Sequence, residues 1–139
     1  MRPLAAVATM IAGGFVLCGC NFDVVEMHAD TLADYDDRGW LPAKLLPPST
    51  RDIRLENDVD LNFSVGSFRF PPAEAGRFMQ GVRSGVPSRS PFAHWSEIVD
   101  DARKDGLSLW QYAEAGDAWA FFCDLSKARC EYMMWSVHP

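Results

Sequence analysis

Basic residues are scarce in this chain of 139 residues, in which 13 Lys and Arg are outnumbered by 19 Asp and Glu, for a formal net charge of −6. Proteins that bind nucleic acid usually carry a basic patch or stripe, so this composition argues against a nucleic-acid partner. It also predicts no added attraction to anionic lipid headgroups. An acidic surface suits a basic partner, although many soluble proteins have the same balance of charge without one.

Residues of the kinds that build catalytic centres are also few. The three histidines, His28, His94 and His138, are far apart in the sequence and form no cluster of metal ligands. The chain contains no Gly-x-Ser-x-Gly, Ser-x-x-Lys, phosphate-loop or His-Glu-x-x-His motif. We therefore expect a protein that is not an enzyme and that holds neither a metal ion nor a cofactor.

Long apolar runs are confined to the N-terminus. A single positive charge at Arg2 precedes an apolar run from Leu4 to Leu17, which only Thr9 and two glycines interrupt. A transmembrane helix needs roughly 20 apolar residues, and this run is shorter, with the length typical of a secretory signal. The pattern predicts a signal peptide over residues 1–19.

The apolar run ends in Leu17-Cys18-Gly19-Cys20, which resembles the bacterial lipobox with Leu at −3 and a small residue at −1. This resemblance predicts cleavage before Cys20 and attachment of acyl chains such as palmitate to that residue. Two or more chains anchor a protein stably to a membrane. Asn21, rather than Asp, follows Cys20. The predicted location is therefore the bacterial cell envelope, facing the periplasm, with the outer membrane favoured over the inner.

Two cysteines remain beyond the predicted anchor, and an oxidising compartment allows them to pair. If Cys123 lies opposite Cys130 in a hairpin, Asp124 lies opposite Arg129 and residues 125–128 form the turn. On that register, the face without the cysteines carries Ala118, Ala120, Phe122, Glu131, Met133 and Trp135. We predict a Cys123–Cys130 disulfide, with two free thiols as the alternative.

The hydrophobic pattern predicts an α+β fold with a small antiparallel sheet of about four to five strands and two or three packed helices, preceded by a signal helix. Residues 1–19 are the signal peptide, residues 20–38 a lipid-anchored N-terminal helical segment, and residues 39–139 a single α+β domain. The predicted strands are 52–56, 61–70, 107–113, 118–123 and 130–137, and the predicted helices are 71–82 and 90–104.

One segment carries a recognisable pattern, made of Gly39-Trp40-Leu41-Pro42, Leu46-Pro47, Ser49, Ile53, Asp60, Asn62 and Phe68-Arg69-Phe70. It resembles the YbbD head domain family, although Thr50 stands where Ala is usual in that family. The resemblance implies a membrane-tethered extracytoplasmic domain and assigns no activity to it.

Three residues of this segment are candidates for binding: Trp40, Asp60 and Asn62. Each also has a structural interpretation. The tryptophan can clamp a proline-rich loop to the core, and an Asp/Asn pair can stabilise a turn through nearby backbone amides. Both interpretations stay open on the sequence alone.

The sequence thus predicts a membrane-anchored extracytoplasmic lipoprotein that acts as a non-enzymatic binding domain. Its expected partners are membrane lipid, through the acyl anchor, and an envelope protein. One alternative is a lipoprotein that neutralises a toxin or a hydrolase. A second alternative, of a different class, is a small hydrolase without a recognisable motif.

Overall fold

The computed structural model describes residues 24–137, so the predicted signal peptide and Cys20 lie outside the described residues. The strands are β1 (Val24–Thr31), β2 (Arg51–Asp58), β3 (Phe63–Arg69), β4 (Arg83–Ser84), β5 (Ser108–Glu114), β6 (Asp117–Asp124) and β7 (Arg129–Ser136). The described strands form one antiparallel sheet of seven strands in the order β1-β2-β3-β7-β6-β5-β4. The last strand, β7, therefore lies in the middle of the sheet, between β3 and β6.

The prediction of an α+β fold with four to five strands is wrong, because the described residues form a mostly β fold. The described α-helices are α1 (Ala75–Gln80) and α2 (Trp95–Lys104), both short. Single 3-10 turns lie at Leu32–Asp34, Ala43–Leu45 and Pro72–Glu74. The two outermost strands account for the difference between the predicted and the observed number of strands. β1 falls in the predicted helical segment 20–38, and β4 falls between the two predicted helices.

The N-terminal segment is a strand and not the predicted helix over residues 20–38. In β1, Met27 and Ala29 contribute to the core, and they alternate with the exposed Glu26 and His28. Alternation with a period of two residues is the pattern of a half-buried strand. Antiparallel pairing with β2 supplies the backbone hydrogen bonds that a helix would have supplied locally.

The sheet buries a separate core on each side. The loop-side core lies under the segment 41–46 and α1, and its largest fully buried side chains are Leu41, Ile53, Phe68, Phe78, Phe121 and Tyr132. The helix-side core lies under α2 and includes Val65, Ala102, Ala120, Phe122, Met133 and Trp135. Among residues 24–137, no helix is long and apolar enough to cross a membrane.

Strand β3 contributes to both cores because its apolar residues change face along its length. Phe63 packs against the helix-side core and Phe68 belongs to the loop-side core. The change of face around Gly66-Ser67 would suggest a bulge in β3 from the sequence, but the register of β3 with β7 is continuous. The irregularity lies instead in β2, between Arg51 and Arg54. A bulge of this kind bends its strand, and this one lies next to Arg54, at the edge of the site described next.

Candidate functional site

A pocket of about 560 Å³ opens on the helix-side face of the sheet, over β1, β2, β3 and β7. Its polar lining comes from alternate strand positions, which point to the same side of a sheet. These side chains are Glu26, His28, Arg54, Glu56, Ser67 and Glu131. The intervening Met27, Leu55, Gly66 and Tyr132, together with the apolar Val65, complete the lining. Helix α2 packs against residues of β6 and β7 and leaves this part of the sheet uncovered.

The strand register arranges the pocket residues in two rows that run across the sheet. In the first row, His28 lies opposite Arg54, Arg54 opposite Ser67, and Ser67 opposite Glu131. Each step in a row spans about 4.5–5.5 Å between Cα atoms. The pocket therefore brings together side chains that are distant in the sequence, such as His28 and Glu131, which are 103 positions apart.

Glu131 is the most unusual residue of the pocket. It is only 2% exposed, and neither carboxylate oxygen has a hydrogen-bond partner in the described structure. The nearest cation is Arg129, whose Nη2 lies 3.9 Å from Oε1, too far for a hydrogen bond. Burial raises the pKa of the Glu131 carboxyl to about 7, and the Arg129 charge only partly opposes that rise. The carboxylate form is therefore costly here unless something else contacts it.

A pair of carboxyl groups forms the side of the pocket opposite Glu131. Glu26 lies directly opposite Glu56 on the neighbouring strand. Like charges in directly opposed positions destabilise a sheet. Burial, and then the charge of Glu26, raises the pKa of the Glu56 carboxyl.

The basic side chains of the pocket, Arg54 and His28, are already engaged by carboxylates at its edge. The Arg54 Nε donates to Asp52 Oδ1 at 3.1 Å, and this hydrogen bond lowers the pKa of the Asp52 carboxyl. The His28 Nε2 lies 3.4 Å from Asp30 Oδ1 and 3.5 Å from Asp52 Oδ1. These contacts hold the Arg54 guanidinium and the His28 imidazole beside Asp30 and Asp52.

The predicted clamp loop packs on the opposite side of the sheet from the pocket. Leu41, Leu45 and Leu46 are buried in the loop-side core, whereas Trp40 is only half-buried against it. The backbone carbonyl of Trp40 accepts a hydrogen bond from Trp119 Nε1 at 2.8 Å. The leucines hold the loop more than the tryptophan ring does, and a binding role for Trp40 stays a prediction.

Asp60 and Asn62 lie in the turn between β2 and β3, outside the pocket lining. Asn62 has a φ of 52°, in the left-handed region that Asn tolerates better than most residues. The Asp58 carboxylate closes the turn by accepting a hydrogen bond from the Leu61 amide at 3.0 Å. This geometry agrees with a structural role in the turn, and a binding role for either residue stays a prediction.

Cys123 and Cys130 form a disulfide in the structure, with their Cα atoms 4.1 Å apart. The register of β6 with β7 is the one that the sequence predicts, with Asp124 opposite Arg129. Asp124 Oδ1 accepts hydrogen bonds from the amide and the hydroxyl of Ser126, which shapes the turn. Because the disulfide fixes this register, it also fixes Glu131, the next residue, on the pocket side of β7.

We expect the disulfide to form in the mature protein and to stabilise it. The two cysteines are separated by seven positions, so by the chain-entropy model the bond adds about 2–3 kcal/mol to the free energy of unfolding. Urea unfolding with and without reductant measures that difference. Mass spectrometry of a non-reduced digest tests the bond itself, and recovery of two separately alkylated cysteines would contradict it.

The pocket itself was not identified from the sequence, although one signal was present. Glu131 is the only charged residue among the strand positions Cys130–Trp135, which are otherwise apolar or aromatic. The predicted hairpin register already put it on the same face as Met133 and Trp135. A carboxyl on a core face is rare unless it is paired or functional. The predicted position of Glu131 therefore indicates a candidate functional residue.

A comparison with protein families finds a match for part of the chain. No curated protein and no solved structure matches the chain. The match extends further towards the N-terminus than the resemblance seen in residues 39–70, and it includes all of β1. Residues 23–69 match the model of the YbbD head domain, and this matched segment supplies β1, β2 and β3 and most of the pocket lining.

Proposed function

We propose that this protein is a lipid-anchored domain of the bacterial cell envelope that acts by binding, without turnover, through the pocket on β1, β2, β3 and β7. The observation that carries this proposal is the buried carboxyl of Glu131, which lines an open pocket and has no hydrogen-bond partner. A buried polar group without a partner destabilises a fold, and a hydrogen-bond donor supplied by a ligand would remove that cost.

A lipid anchor on Cys20 would set which end of the sheet faces the membrane. β1 begins at Val24, four positions after Cys20. Four Cα–Cα steps reach at most about 15 Å, so acyl chains on Cys20 would hold this end of the sheet close to the membrane. The exposed large hydrophobic residues of the described chain lie near the same end, in β1, the β2–β3 turn and the end of β7. They are Val25, Val59, Leu61 and Val137.

Replacement of the anchor residue tests the first half of the proposal. In cells fed a labelled fatty acid, the Cys20→Ala variant should lose all label and should accumulate as precursor, because the thiol at the predicted cleavage position is gone and Cys18 follows Leu17 rather than a small residue. The wild-type chain, expressed at the same level, is the control. Continued labelling of the variant would contradict lipidation at Cys20.

Blocking the pocket tests the second half. We expect the tagged lipoprotein, solubilised from envelopes in a non-ionic detergent, to capture a partner that the Ser67→Trp variant does not capture. Ser67 lies inside the pocket, so a tryptophan there fills it. Lys104→Trp, on the exposed side of α2, is the matched control and should capture as the wild type does. A captured toxin or hydrolase would identify a neutralising lipoprotein, and equal capture by both variants would exclude the pocket.

The pocket has one arrangement that a hydrolase could use, the imidazole of His28 near the Asp52 carboxylate. However, Ser67, whose hydroxyl is the nucleophile candidate of the lining, is two strands away from His28. Two strand spacings are about 10 Å, beyond hydrogen-bond reach. Hydrolysis of peptidoglycan, peptide or ester substrates by the purified protein, lost in His28→Ala, would overturn the proposal of binding without turnover.

A further inference from the structure

We infer that the pocket binds a cationic group, a primary ammonium or a guanidinium at the end of an aliphatic stem, and that Glu131 accepts its hydrogen bonds. This inference rests on the proposed function, because it names the chemistry of the ligand for the same pocket. Three observations support it, and each comes from a different part of the lining.

The first observation is the state of Glu131. Its two oxygens lack hydrogen-bond donors although the residue is almost fully buried and lines the pocket. A carboxylate accepts up to four hydrogen bonds and donates none when ionised, so the complementary ligand group is a donor. A charged donor gives the strongest and shortest bonds to a carboxylate, and both ammonium and guanidinium groups are of this kind.

The second observation is the opposition of Glu26 and Glu56. These two carboxyl groups lie on facing positions of β1 and β2, where their charges repel. A cation in the pocket would reduce this repulsion at the same time as it pairs with Glu131. The competing cation of the lining, Arg54, is held by Asp52, and Arg129 offsets the charge of Glu131 only in part from 3.9 Å, so the three glutamates outnumber the cations beside them.

The third observation concerns shape. Glu56 lies opposite Val65, and Ser67 of the same strand lies opposite Glu131, so β3 separates the two carboxyl groups. The apolar surface of Val65 lies between the carboxyl groups and suits the methylene stem of a Lys-like or Arg-like ligand.

Across residues 24–137, no group of three or more His, Cys, Asp or Glu side chains is arranged to hold a metal ion.

Titration with small organic cations tests this chemistry. The mature lipoprotein in a non-ionic detergent is titrated at pH 8 with n-butylammonium and with n-butylguanidinium, while the NMR signals of the Val65 methyl groups are followed. We expect saturable shifts with dissociation constants on the order of 1 mM, as befits single charged contacts. 1-Butanol, a neutral molecule of similar shape, should produce no saturable shift. Equal responses to butanol and to the cations, or no response to any probe, would overturn the inference.

Two variants with the same change of net charge locate the binding. Glu131→Gln should weaken binding of both cations by roughly tenfold or more, which corresponds to the loss of one charge-assisted hydrogen bond. Asp100→Asn removes a carboxylate on the exposed side of α2 and should leave the affinity unchanged. An equal loss in both variants would show that the probes respond only to overall charge, and this result would also overturn the inference.

Two further probes distinguish the sources of the cation. Tighter binding of a capped Gly-Lys-Gly peptide than of spermidine would indicate a basic side chain of a protein partner, and the reverse would indicate a free polyamine. The inference and the proposed function can fail separately. If Ser67→Trp abolishes partner capture but none of the cations binds, the pocket remains the binding site and only the cationic ligand is wrong.

Discussion

The Glu131→Gln variant should be more stable than the wild-type protein at pH 8, by about 3 kcal/mol, and should be nearly equal to it at pH 4. Burial raises the pKa of the Glu131 carboxyl from 4.5 to about 7 in the folded protein. The folded state therefore holds this proton more tightly than the unfolded state does. Stability that depends on Glu131 is greatest below pH 4.5 and decreases as the pH rises to about 7.

The difference between the two proteins isolates this residue from other titrating groups. Hydrogen bonds from Arg54 and Ser126 lower the pKa values of the Asp52 and Asp124 carboxyls, respectively. Protonation of these two carboxyls at low pH therefore destabilises the protein, which is opposite to the effect of protonating Glu131. They contribute equally to both proteins and cancel in the comparison. Urea unfolding at half-unit steps from pH 4 to pH 8.5 gives the two stability curves. Parallel curves would contradict an ionisable, buried Glu131.

A carboxyl group that destabilises the free protein at neutral pH is consistent with a site kept for binding. Natural proteins retain such costs mainly where function needs them. A cation that pairs with Glu131 would favour its ionised form, and so would restore the stability that ionisation removes. Stability and binding are therefore expected to be linked through this one residue.

The hairpin of β6 and β7 could be predicted from the sequence because its determinants are local. Cys123 and Cys130 are close in the chain, their pairing places Asp124 opposite Arg129, and apolar residues alternate on both strands. A one-residue slip would have moved every side chain to the wrong face. Local patterns that agree with one another leave a single register.

The N-terminal strand was missed because its partner is distant. The apolar residues of β1 fit a helical face as well as a strand face, and only its pairing with β2 decides between them. Thr31 at the end of β1 is opposite Arg51, across a loop of 19 residues. Sequence periodicity over eight residues does not contain that information.

The site could not be predicted for a related reason. Ser67 and Glu131 become neighbours only because β7 inserts between β3 and β6.

The start of α2 shows a similar dependence on context. Ser90 accepts a hydrogen bond from the Phe92 amide at 3.2 Å in a loop, and the helix begins only at Trp95, after His94 with a φ of 58°. Packing of Phe92 and Trp95 against Trp135 accompanies this later start.

The Gly66→Ala substitution should destabilise the protein by at least ~3 kcal/mol, the range in which buried overpacking becomes severe. A Cβ atom at Gly66 would lie 2.1 Å from the backbone oxygen of Arg54 and 2.8 Å from Cε1 of Tyr132. Neither neighbour can move easily. The first is backbone in the paired strand β2, and the second belongs to a fully buried ring whose hydroxyl lies 2.6 Å from Ser64 Oγ, which in turn donates to Asn57.

Gly76→Ala is the matched control, because a Cβ at Gly76 would meet no atom within 4 Å and the residue lies inside α1. Alanine in a helix is favoured over glycine by about 0.5–1 kcal/mol, so this variant should be slightly more stable than the wild type. The two Gly→Ala substitutions should change the free energy of unfolding in opposite directions, and this contrast tests the close approach of β2 and β3 under the pocket. A Gly66→Ala protein that unfolds at the wild-type urea concentration would show that the two strands are further apart than the structure has them, and that the floor of the pocket is wider.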